Sequence, residues 1–275
     1  MTFRKALEYG EKKLNEAGIL EAKNDSWLLL ATACHIDHTF YYVHMDEELE
    51  EEQWSAFENL IRKRAERIPL QYITGEQEFM GILFHVNSNV LIPRQDTETL
   101  VEEALKIVRP GMKVLDLCTG SGCILISILK NVIGVEGFGY DISKQALLVA
   151  KENARDIGVA ATFERSDLFD NVTDSFDVIV SNPPYIKTED LATLMPEVAQ
   201  FEPIGALDGM EDGLHFYRKI IAESADYLNE NGYLLFEIGC DQGESVSEMM
   251  RSAGFSDVQV IKDLARNDRV VMGHL

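Results

Sequence analysis

The sequence predicts an α/β protein with a doubly wound, mostly parallel seven-stranded sheet, preceded by a small N-terminal helical domain and a linking β-hairpin. Three observations lead to this prediction. From residue 111 onward, short apolar β-branched runs alternate with helical segments, as in βαβ units. A glycine-rich turn directly follows the first of these runs. Before about residue 70, apolar residues instead recur at helical spacing.

The first part of the chain is predicted to be helical up to about residue 70. Phe3 and Leu14 lie on one face of a first helix, and Phe57 belongs to the apolar face of a longer one. Acidic residues crowd the start of the longer helix and basic residues its end, which complements the helix macrodipole. We interpret these charges as a solvated face and expect Pro69 to end the helix.

The next segment changes to a strand pattern. Residues 79–86 and 90–92 are predicted to form two strands joined by the polar turn Asn87-Ser88-Asn89. A hairpin at this place fits a linker between a helical piece and a larger domain. Asp96 then lies near the start of a helix that we expect to run to about Val108.

The alternating pattern occupies the remainder of the chain. The predicted strands are 113–117, 138–141, 161–165, 176–180, 233–238, 257–262 and 269–273, and the main helices between them are 124–131, 143–157, about 214–228 and about 242–253. The last two strands are joined by a connection too short for a parallel crossover, so we expect one of them to be antiparallel. The long connection 186–213 is typical of a lid or binding loop.

The composition argues against several classes of protein. Of the 275 residues, 46% are hydrophobic and 26% charged, as in a soluble globular protein. A formal net charge of −22 disfavours a broad nucleic-acid surface, which needs clustered Lys and Arg. We find no membrane span, no secretion signal and no metal motif. The four cysteines form no Cys-x-x-Cys pair, which favours reduced thiols, and we expect a cytoplasmic monomer.

Acidic residues follow successive predicted strands beside the glycine-rich turn. The turn is Cys118-Thr119-Gly120-Ser121-Gly122, and its glycines let a ligand approach the backbone closely. Asp141 ends the second strand, where a carboxylate can accept hydrogen bonds from both ribose hydroxyls. Asp167, after the third strand, can accept one from an adenine amino group, and Leu168 can lie against the ring. Leu125 stands where a dinucleotide fingerprint has its third glycine, so we expect S-adenosylmethionine instead.

A rigid polar turn, Ser181-Asn182-Pro183-Pro184-Tyr185, follows the fourth strand. Its two prolines remove backbone N–H donors, so the turn offers mainly acceptors, namely main-chain carbonyls and the Asn182 side-chain oxygen. Acceptors beside the flat face of Tyr185 suit an amino or amide NH2 group. The alternative is a structural proline-rich loop in which Asn182 caps the turn. Polar residues at the ends of the neighbouring strands favour the ligand site.

Several motifs together resemble the protein-(glutamine-N5) methyltransferases that modify peptide chain release factors. The matching motifs are Gln71-Tyr72-Ile73-Thr74-Gly75, Leu91-Ile92-Pro93-Arg94, Asp116 to Gly122, Ser181 to Ile186, Glu202-Pro203, Glu237-Ile238-Gly239 and Asp268 to Val271. They cover nearly the whole chain. Two positions depart from the family pattern, since Cys118 stands where glycine is usual and Gln95-Asp96 where Pro-Glu is usual.

The resemblance implies a Rossmann-like methyltransferase fold and methyl transfer from S-adenosylmethionine to the side-chain amide N5 of the glutamine in the Gly-Gly-Gln motif of release factors. It implies a helical substrate-recognition domain (1–70), a β-hairpin linker (71–94) and a methyltransferase domain (95–275). The partner is then a release factor, with no direct nucleic acid and no membrane.

The resemblance also implies roles for particular residues. Asn182, Pro183 and Tyr185 are the expected catalytic residues, and with Pro184 they bind the substrate amide. The expected cofactor-binding residues are Cys118, Thr119, Gly120, Ser121, Gly122, Asp141, Asp167, Leu168 and Asn182. Arg94 contacts either the cofactor or the incoming loop, or else forms a salt bridge with Glu98. Glu237 and Asp268 are interpreted as structural.

Two other functions compete with this one. An adenine-N6 methyltransferase of DNA or RNA would use the same turn for an adenine amino group, but the charge of −22 and the lack of an evident base-recognition domain weigh against it. A cofactor-binding module without catalysis is the second alternative. The intact Asn182-Pro183-Pro184-Tyr185 set weighs against that.

Overall fold

The computed structural model describes all 275 residues, which divide into two compact units. Unit 1 comprises Met1–Gly75 together with Met195–Phe201, and unit 2 comprises Glu76–Leu194 together with Glu202–Leu275. Neither unit contains a helix with both the length and the apolar character needed to cross a lipid bilayer.

Helices and strands account for most of the chain. The α-helices are α1 (Phe3–Glu16), α2 (Ala22–Cys34), α3 (His38–His44), α4 (Glu51–Ala65), α5 (Leu70–Thr74), α6 (Gln95–Ile107), α7 (Cys123–Asn131), α8 (Lys144–Ile157), α9 (Pro196–Phe201), α10 (His215–Ser224) and α11 (Gly243–Ser252). The strands are β1 (Glu76–Phe79), β2 (Ile82–His85), β3 (Lys113–Leu117), β4 (Glu136–Asp141), β5 (Thr162–Arg165), β6 (Phe176–Ser181), β7 (Leu228–Glu237), β8 (Ser256–Lys262) and β9 (Asp268–His274).

Unit 1 is helical, as predicted. The Thr2 hydroxyl caps α1 by accepting from Lys5 N, and the apolar faces of α1, α2 and α4 bury a common core that includes Leu14 and Phe57. A Cβ on Gly10 would lie 2.3 Å from Ser26 Oγ, so glycine allows α1 and α2 to pack closely. The helix predicted to end at Pro69 ends earlier, at Ala65, because Pro69 instead precedes α5.

The β-hairpin is present, but its turn was predicted at the wrong place. β1 and β2 pair antiparallel with Phe79 opposite Ile82, so the turn is Met80-Gly81, and residues 90–92 form no strand. Met80 and Gly81 have φ of 52° and 70°, which suits the right-handed twist of a two-residue hairpin. The Asn87 side chain accepts instead from Asn89 N at 2.9 Å, in a local turn outside the hairpin.

Unit 2 contains the predicted seven-stranded sheet, which confirms the fold class. The strand order is β5-β4-β3-β6-β7-β9-β8, and β9 alone runs antiparallel to both of its neighbours. The other pairs are parallel, as expected for strands joined through helices. The carboxyl ends of β3, β4, β5 and β6 therefore lie at one edge of the sheet, which is where such folds bind ligands.

Two boundaries differ from the sequence prediction near β7. The helix expected to reach residue 228 ends at Ser224, and the strand expected from Tyr233 begins at Leu228. Leu228 pairs with Phe176, and a register shift separates that pair from the regular pairing that begins at Tyr233. The polar residues 229–232 conceal this longer strand from a sequence pattern, because they break the apolar run.

Candidate active site

A cavity of about 400 Å³ lies in unit 2 at the carboxyl ends of β3 to β6. Most of the predicted site residues line it together. Those residues are Cys118, Thr119, Gly120, Ser121, Asp141, Asp167, Leu168, Asn182 and Pro184. Gly122, Pro183 and Tyr185 are not among the lining residues. The sheet topology thus brings side chains from four separate strand ends into one cavity.

The glycine-rich turn is held in a conformation that favours glycine at three of its positions. Cys118, Gly120 and Gly122 have φ of 60°, 54° and 80°, all in the left-handed region. Cys118, where the resemblance of the motifs led us to expect glycine, adopts a glycine-like conformation despite its side chain. Burial raises the pKa of its thiol, so the thiol stays neutral beside the cavity.

Asp141 connects the end of β4 to this turn. One carboxylate oxygen accepts from Gly120 N at 2.9 Å and the other from Ser143 N at 2.8 Å. Burial raises the pKa of the carboxyl, while these two hydrogen bonds oppose the rise. Each carboxylate oxygen has a second lone pair, so Asp141 can still accept hydrogen bonds from a ligand in the cavity.

Asp116 lies beneath the turn, in β3, and is fully buried. The Thr119 hydroxyl donates to its Oδ2 at 2.6 Å, while Oδ1 has no hydrogen-bond partner. Burial raises the pKa of this carboxyl to about 7, and the bond from Thr119 opposes the rise. Asp116 therefore supports the turn from below, since Thr119 itself lines the cavity.

Asp167 and Leu168 form another part of the wall, just after β5. Asp167 is exposed and Leu168 is buried, and both face the cavity. Leu168 has a φ of 48°, an uncommon conformation for a leucine. An apolar surface beside an acceptor is the arrangement predicted for an adenine ring and its amino group.

The Asn182 carboxamide makes a hydrogen bond through its nitrogen and none through its oxygen. Its Nδ2 donates to Thr97 Oγ1 at 3.4 Å, and no hydrogen bond within the chain ends on its Oδ1. The Pro183 carbonyl likewise accepts none. The turn therefore keeps two hydrogen-bond acceptors available, as the sequence predicted.

The backbone after Asn182 is clamped by a later segment. Gln242 Nε2 donates to Tyr185 O at 3.1 Å and to Gly213 O at 3.2 Å. A Cβ on Gly213 would lie 2.4 Å from Tyr185 O, so only glycine permits this approach. Tyr185 donates through its hydroxyl to the buried Glu237 at 3.3 Å. These contacts hold the turn rigidly, as positioning of a reactant requires.

Arg94 also lines the cavity, and the salt bridge with Glu98 that was predicted as an alternative for it is wrong. Its guanidinium pairs with Glu202, not with Glu98. Glu98 instead accepts from Met80 N at 2.6 Å and so supports the hairpin turn. Glu202 is buried and accepts from Ile92 N at 3.2 Å as well, so one carboxylate holds two segments of the wall.

Several residues that line the cavity were not predicted from the sequence as site residues. They are Thr97, Pro203, Ile204, Gly205, Ala206, Asp208, Met210 and Phe216, with others from residues 89–93. Most of them belong to the long connection 186–213 or follow it, and the signals for them were the length of that connection and the motif Glu202-Pro203. The middle of the same connection, α9, belongs to unit 1.

Comparison with known proteins adds to this geometry. The PrmC N-terminal domain family matches residues 5–75, and the methyltransferase small domain family matches residues 95–200. The release factor glutamine methyltransferase of Geobacter sulfurreducens is 42% identical over 275 residues, covering 100% of this chain and 97% of that protein. That of Caulobacter vibrioides is 40% identical over 278 residues, covering 99% and 96%.

A solved structure shares the fold at low sequence identity. It is a 16S rRNA methyltransferase of T. thermophilus in complex with AdoMet and guanosine, which aligns with a TM-score of 0.53 and 17% identity. The alignment covers 72% of this chain and 49% of that chain. This likeness concerns the fold alone.

Proposed function

The chain belongs to the release factor glutamine methyltransferase family, and from that premise we propose that it methylates the side-chain amide nitrogen of the glutamine in the Gly-Gly-Gln motif of a peptide chain release factor, with S-adenosylmethionine as methyl donor. The family resemblance predicted from the motifs is confirmed by these full-length relatives. The observation that carries the proposal is a pair of available acceptors, one on Asn182, which lines a cavity suited to a nucleoside, and one on the adjacent Pro183.

The cavity fits S-adenosylmethionine in its donor and acceptor chemistry. Asp141 retains acceptor capacity for ribose hydroxyls, and Asp167 offers an acceptor beside the apolar Leu168 for an adenine amino group. The turn at Cys118 to Gly122 allows close approach of a ligand to the backbone. When bound, the cofactor supplies a methyl group on a positively charged sulfur, which is a good leaving group.

The substrate side of the cavity holds an amide NH2. Asn182 Oδ1 and the Pro183 carbonyl oxygen each accept a hydrogen bond from one of its two N–H groups, which orients the nitrogen toward the methyl group. Once the nitrogen carries the methyl group, one of these N–H groups becomes acidic and loses its proton. An amide nitrogen is a poor nucleophile because its lone pair is delocalised into the carbonyl, and two acceptors favour the pyramidal geometry that frees it. Positioning of this kind is worth roughly 7–11 kcal/mol of the barrier.

The turn also discriminates between substrates. A glutamate side chain has no N–H to donate, so both acceptors stay unpaired and face a carboxylate. An unpaired buried polar group costs about 1–3 kcal/mol, and the repulsion between acceptors adds to this cost. We therefore expect a Gly-Gly-Glu release factor to be rejected.

The two N-terminal segments have proposed supporting roles. We assign substrate recognition to residues 1–70 and a linking role to residues 71–94, while residues 95–275 perform the chemistry. The match of residues 5–75 to the PrmC N-terminal domain family supports treating the helical segment as a separate functional part.

An adenine-N6 methyltransferase remains the competing function, because an adenine amino group also presents two hydrogens. The net charge of −22 weighs against it, since binding a nucleic acid relies on Lys and Arg contacts to phosphates. The full-length relatives also carry the release factor name.

Mass spectrometry tests the proposal directly. A release factor is incubated with the enzyme and S-adenosylmethionine, and we expect a single added methyl group on the glutamine of its Gly-Gly-Gln motif. A Gly-Gly-Glu release factor and a duplex DNA, each with labelled cofactor, serve as controls and should remain unlabelled. Labelled DNA together with an unmodified release factor would overturn the proposal in favour of the adenine function.

A further inference from the structure

The cavity wall carries one basic side chain among several acidic ones. Arg94 is the only Arg, Lys or His among the lining residues, whereas Asp141, Asp167 and Asp208 each contribute a carboxylate. The whole chain is acidic as well, with a formal net charge of −22. A negatively charged group that enters this cavity therefore has a single guanidinium with which it can pair.

A buried carboxylate fixes the Arg94 side chain. The guanidinium donates through Nη2 to Glu202 Oε1, and the Glu202 side chain is 1% exposed whereas that of Arg94 is 41% exposed. Glu202 also accepts from Ile92 N through Oε2 at 3.2 Å, so both of its oxygens are engaged. The Nε and Nη1 groups of Arg94 make no hydrogen bond within the chain. The guanidinium is thus held on one side and keeps N–H donors for a ligand.

Arg94 lies on the side of the cavity where Asn182 is found. It directly precedes α6, and its carbonyl accepts from Thr97 N at 3.1 Å. The Thr97 hydroxyl oxygen in turn accepts from Asn182 Nδ2 at 3.4 Å. The residues assigned to adenosine, Asp141 and Asp167, follow β4 and β5, and β3 lies between these strands and β6, which precedes Asn182. Arg94 therefore belongs to the part of the cavity beyond the adenosine.

The charges of the two proposed ligands decide which of them suits Arg94. S-adenosylmethionine carries a sulfonium and an ammonium, which an acidic cavity attracts, and one carboxylate, which needs a cation. The Gly-Gly-Gln tripeptide carries no charge. A donor to the substrate amide oxygen would also draw the nitrogen lone pair further into the carbonyl and so oppose methyl transfer. The carboxylate of the cofactor is therefore the better partner for the free N–H groups.

We infer that Arg94 binds the α-carboxylate in the methionine part of S-adenosylmethionine, while Glu202 holds the guanidinium in place. This inference rests on the proposed function, which supplies the cofactor. Hydrogen bonds between a guanidinium and a carboxylate are roughly twice as strong as neutral ones, and a guanidinium can form two of them side by side. Arg94 therefore distinguishes a nucleoside that carries an amino-acid carboxylate from one that does not.

The test compares calorimetric binding of S-adenosylmethionine with that of decarboxylated S-adenosylmethionine, which lacks only the carboxylate. The native protein should bind the complete cofactor more tightly, by roughly tenfold to a hundredfold. Arg94→Met keeps an unbranched side chain without the cation, and it should bring the two affinities to within about twofold of each other by weakening only the complete cofactor.

Arg109→Met is the matched control. It removes one positive charge from the same unit, but Arg109 is exposed, does not line the cavity and donates only to the carbonyls of Val108 and Lys106. The preference for the carboxylate should therefore stay at the native value in this variant.

Two further variants separate ligand binding from folding. Arg94→Met takes the ion-pair partner from the buried Glu202, so urea unfolding is measured beside binding. The double variant Arg94→Met with Glu202→Gln leaves no unpaired charge, and it should lose the preference to the same degree. Arg94→Lys keeps a cation for Glu202 but lacks the planar fork, and it should retain only part of the preference.

Several outcomes would overturn the inference. One is a native protein that binds both cofactors equally, and another is a preference that persists in Arg94→Met and in the double variant. An unchanged preference together with a raised KM for the release factor would assign Arg94 to the incoming loop instead. Cofactor binding is measured without a release factor. A native protein that shows the expected preference but leaves the release factor unmodified would therefore overturn the proposed substrate and support this inference.

Discussion

Asn182 has two chemically different ends, and only its oxygen can accept a hydrogen from an amide NH2. Its Nδ2 is directed at Thr97, which leaves Oδ1 available at the cavity wall. The Pro183 carbonyl beside it is a second acceptor, fixed by the restricted backbone of two consecutive prolines. At the scale of single residues, the proposed site therefore depends on the orientation of two hydrogen-bond acceptors, Asn182 Oδ1 and the Pro183 carbonyl.

Replacing Asn182 tests this dependence. Asn182→Ala removes one acceptor and leaves a substrate N–H unpaired, so we expect kcat to fall by about tenfold or more. The affinity for S-adenosylmethionine should change little, because the cofactor's main contacts are assigned to other residues. Steady-state kinetics with calorimetric cofactor binding separates the two effects, and equal losses in both would contradict the role given to Asn182.

Asp116 links the site to the pH dependence of stability. Burial raises its pKa from 3.8 to about 7, so the folded protein binds this proton more tightly than the unfolded chain does. The stability that it contributes is complete below about pH 4 and is lost as the pH rises to about 7.

Asp116→Asn removes this ionisation. As the pH rises from 4 to 7, the native protein loses the stability contributed by neutral Asp116 and the variant does not. The unfolding free energy of the variant should therefore rise relative to that of the native protein, by up to about 1.4 kcal/mol per pH unit. Urea unfolding of both proteins at pH 5 and pH 8 measures the shift. A difference that does not vary with pH would show that Asp116 is already ionised when folded at pH 5.

At the scale of elements, the start of α7 is constrained by both backbone conformation and packing. Gly122 precedes α7 with a φ of 80°, and a Cβ there would lie 2.9 Å from Ile126 Cδ1 and 3.2 Å from Ala150 Cβ. Gly158, at the end of α8, has a φ of 77° but nothing within 4 Å of such a Cβ. Both glycines have a left-handed backbone conformation, but only Gly122 has side chains packed against the position that a Cβ would take.

Alanine at these two positions separates backbone strain from packing. Gly158→Ala should cost only the left-handed conformation, about 1 kcal/mol. Gly122→Ala should cost at least about 1 kcal/mol more, through the clash with Ile126. It should also weaken cofactor binding, because it displaces the turn. Urea unfolding and cofactor titration measure both effects, and equal behaviour of the two variants would mean that the crowding at Gly122 is relieved at no cost.

At the scale of the whole molecule, long-range ion pairs join segments far apart in sequence. Within unit 1, Arg64 pairs with Asp25 at 2.7 Å and with Glu197 at 3.1 Å, and all three side chains are buried. Glu197 lies in α9, in the middle of the connection 186–213. The same connection continues into Pro203 to Ala206, which line the cavity of unit 2. The connection 186–213 therefore contributes residues to both units.

Arg64→Met removes the cation, so the buried Asp25 loses its only ion pair and the buried Glu197 keeps only Arg67, at 3.5 Å. We expect unfolding to become easier by roughly 3–5 kcal/mol, the usual cost of breaking a buried ion pair. Arg4→Met is the matched control, because Arg4 is exposed and pairs with Asp46 at the surface, where little stability is expected. Urea unfolding followed by tryptophan fluorescence compares the two, and a loss no greater than that of the control would contradict a stabilising role for the buried pair.

The large negative charge is also a property of the whole chain. Forty-seven acidic residues exceed 25 basic ones, which repels polyanions at long range. This excess of acidic residues disfavours a broad contact with nucleic-acid phosphates, which relies on clustered Lys and Arg.

Local patterns in the sequence predict the succession of strands and helices along the chain, the sheet type and nine of the residues that line the cavity. Hydrophobic periodicity, glycine turns and prolines act locally, and the carboxyl ends of parallel strands must share one edge of the sheet. Asp141, Asp167 and Asn182 could therefore be brought together in prediction although they lie far apart in the chain. Their individual roles toward cofactor and substrate stay predictions.

Which distant groups meet is visible in the folded structure alone. It placed the hairpin turn at Met80-Gly81, paired Arg94 with Glu202 and directed the buried Glu237 at Tyr185. The physical reason is that such contacts depend on the packing of elements far apart in sequence, and no local pattern encodes which partner satisfies a charge or a hydrogen bond. A carboxylate in an apolar strand can be located from sequence, but its function follows from its neighbours.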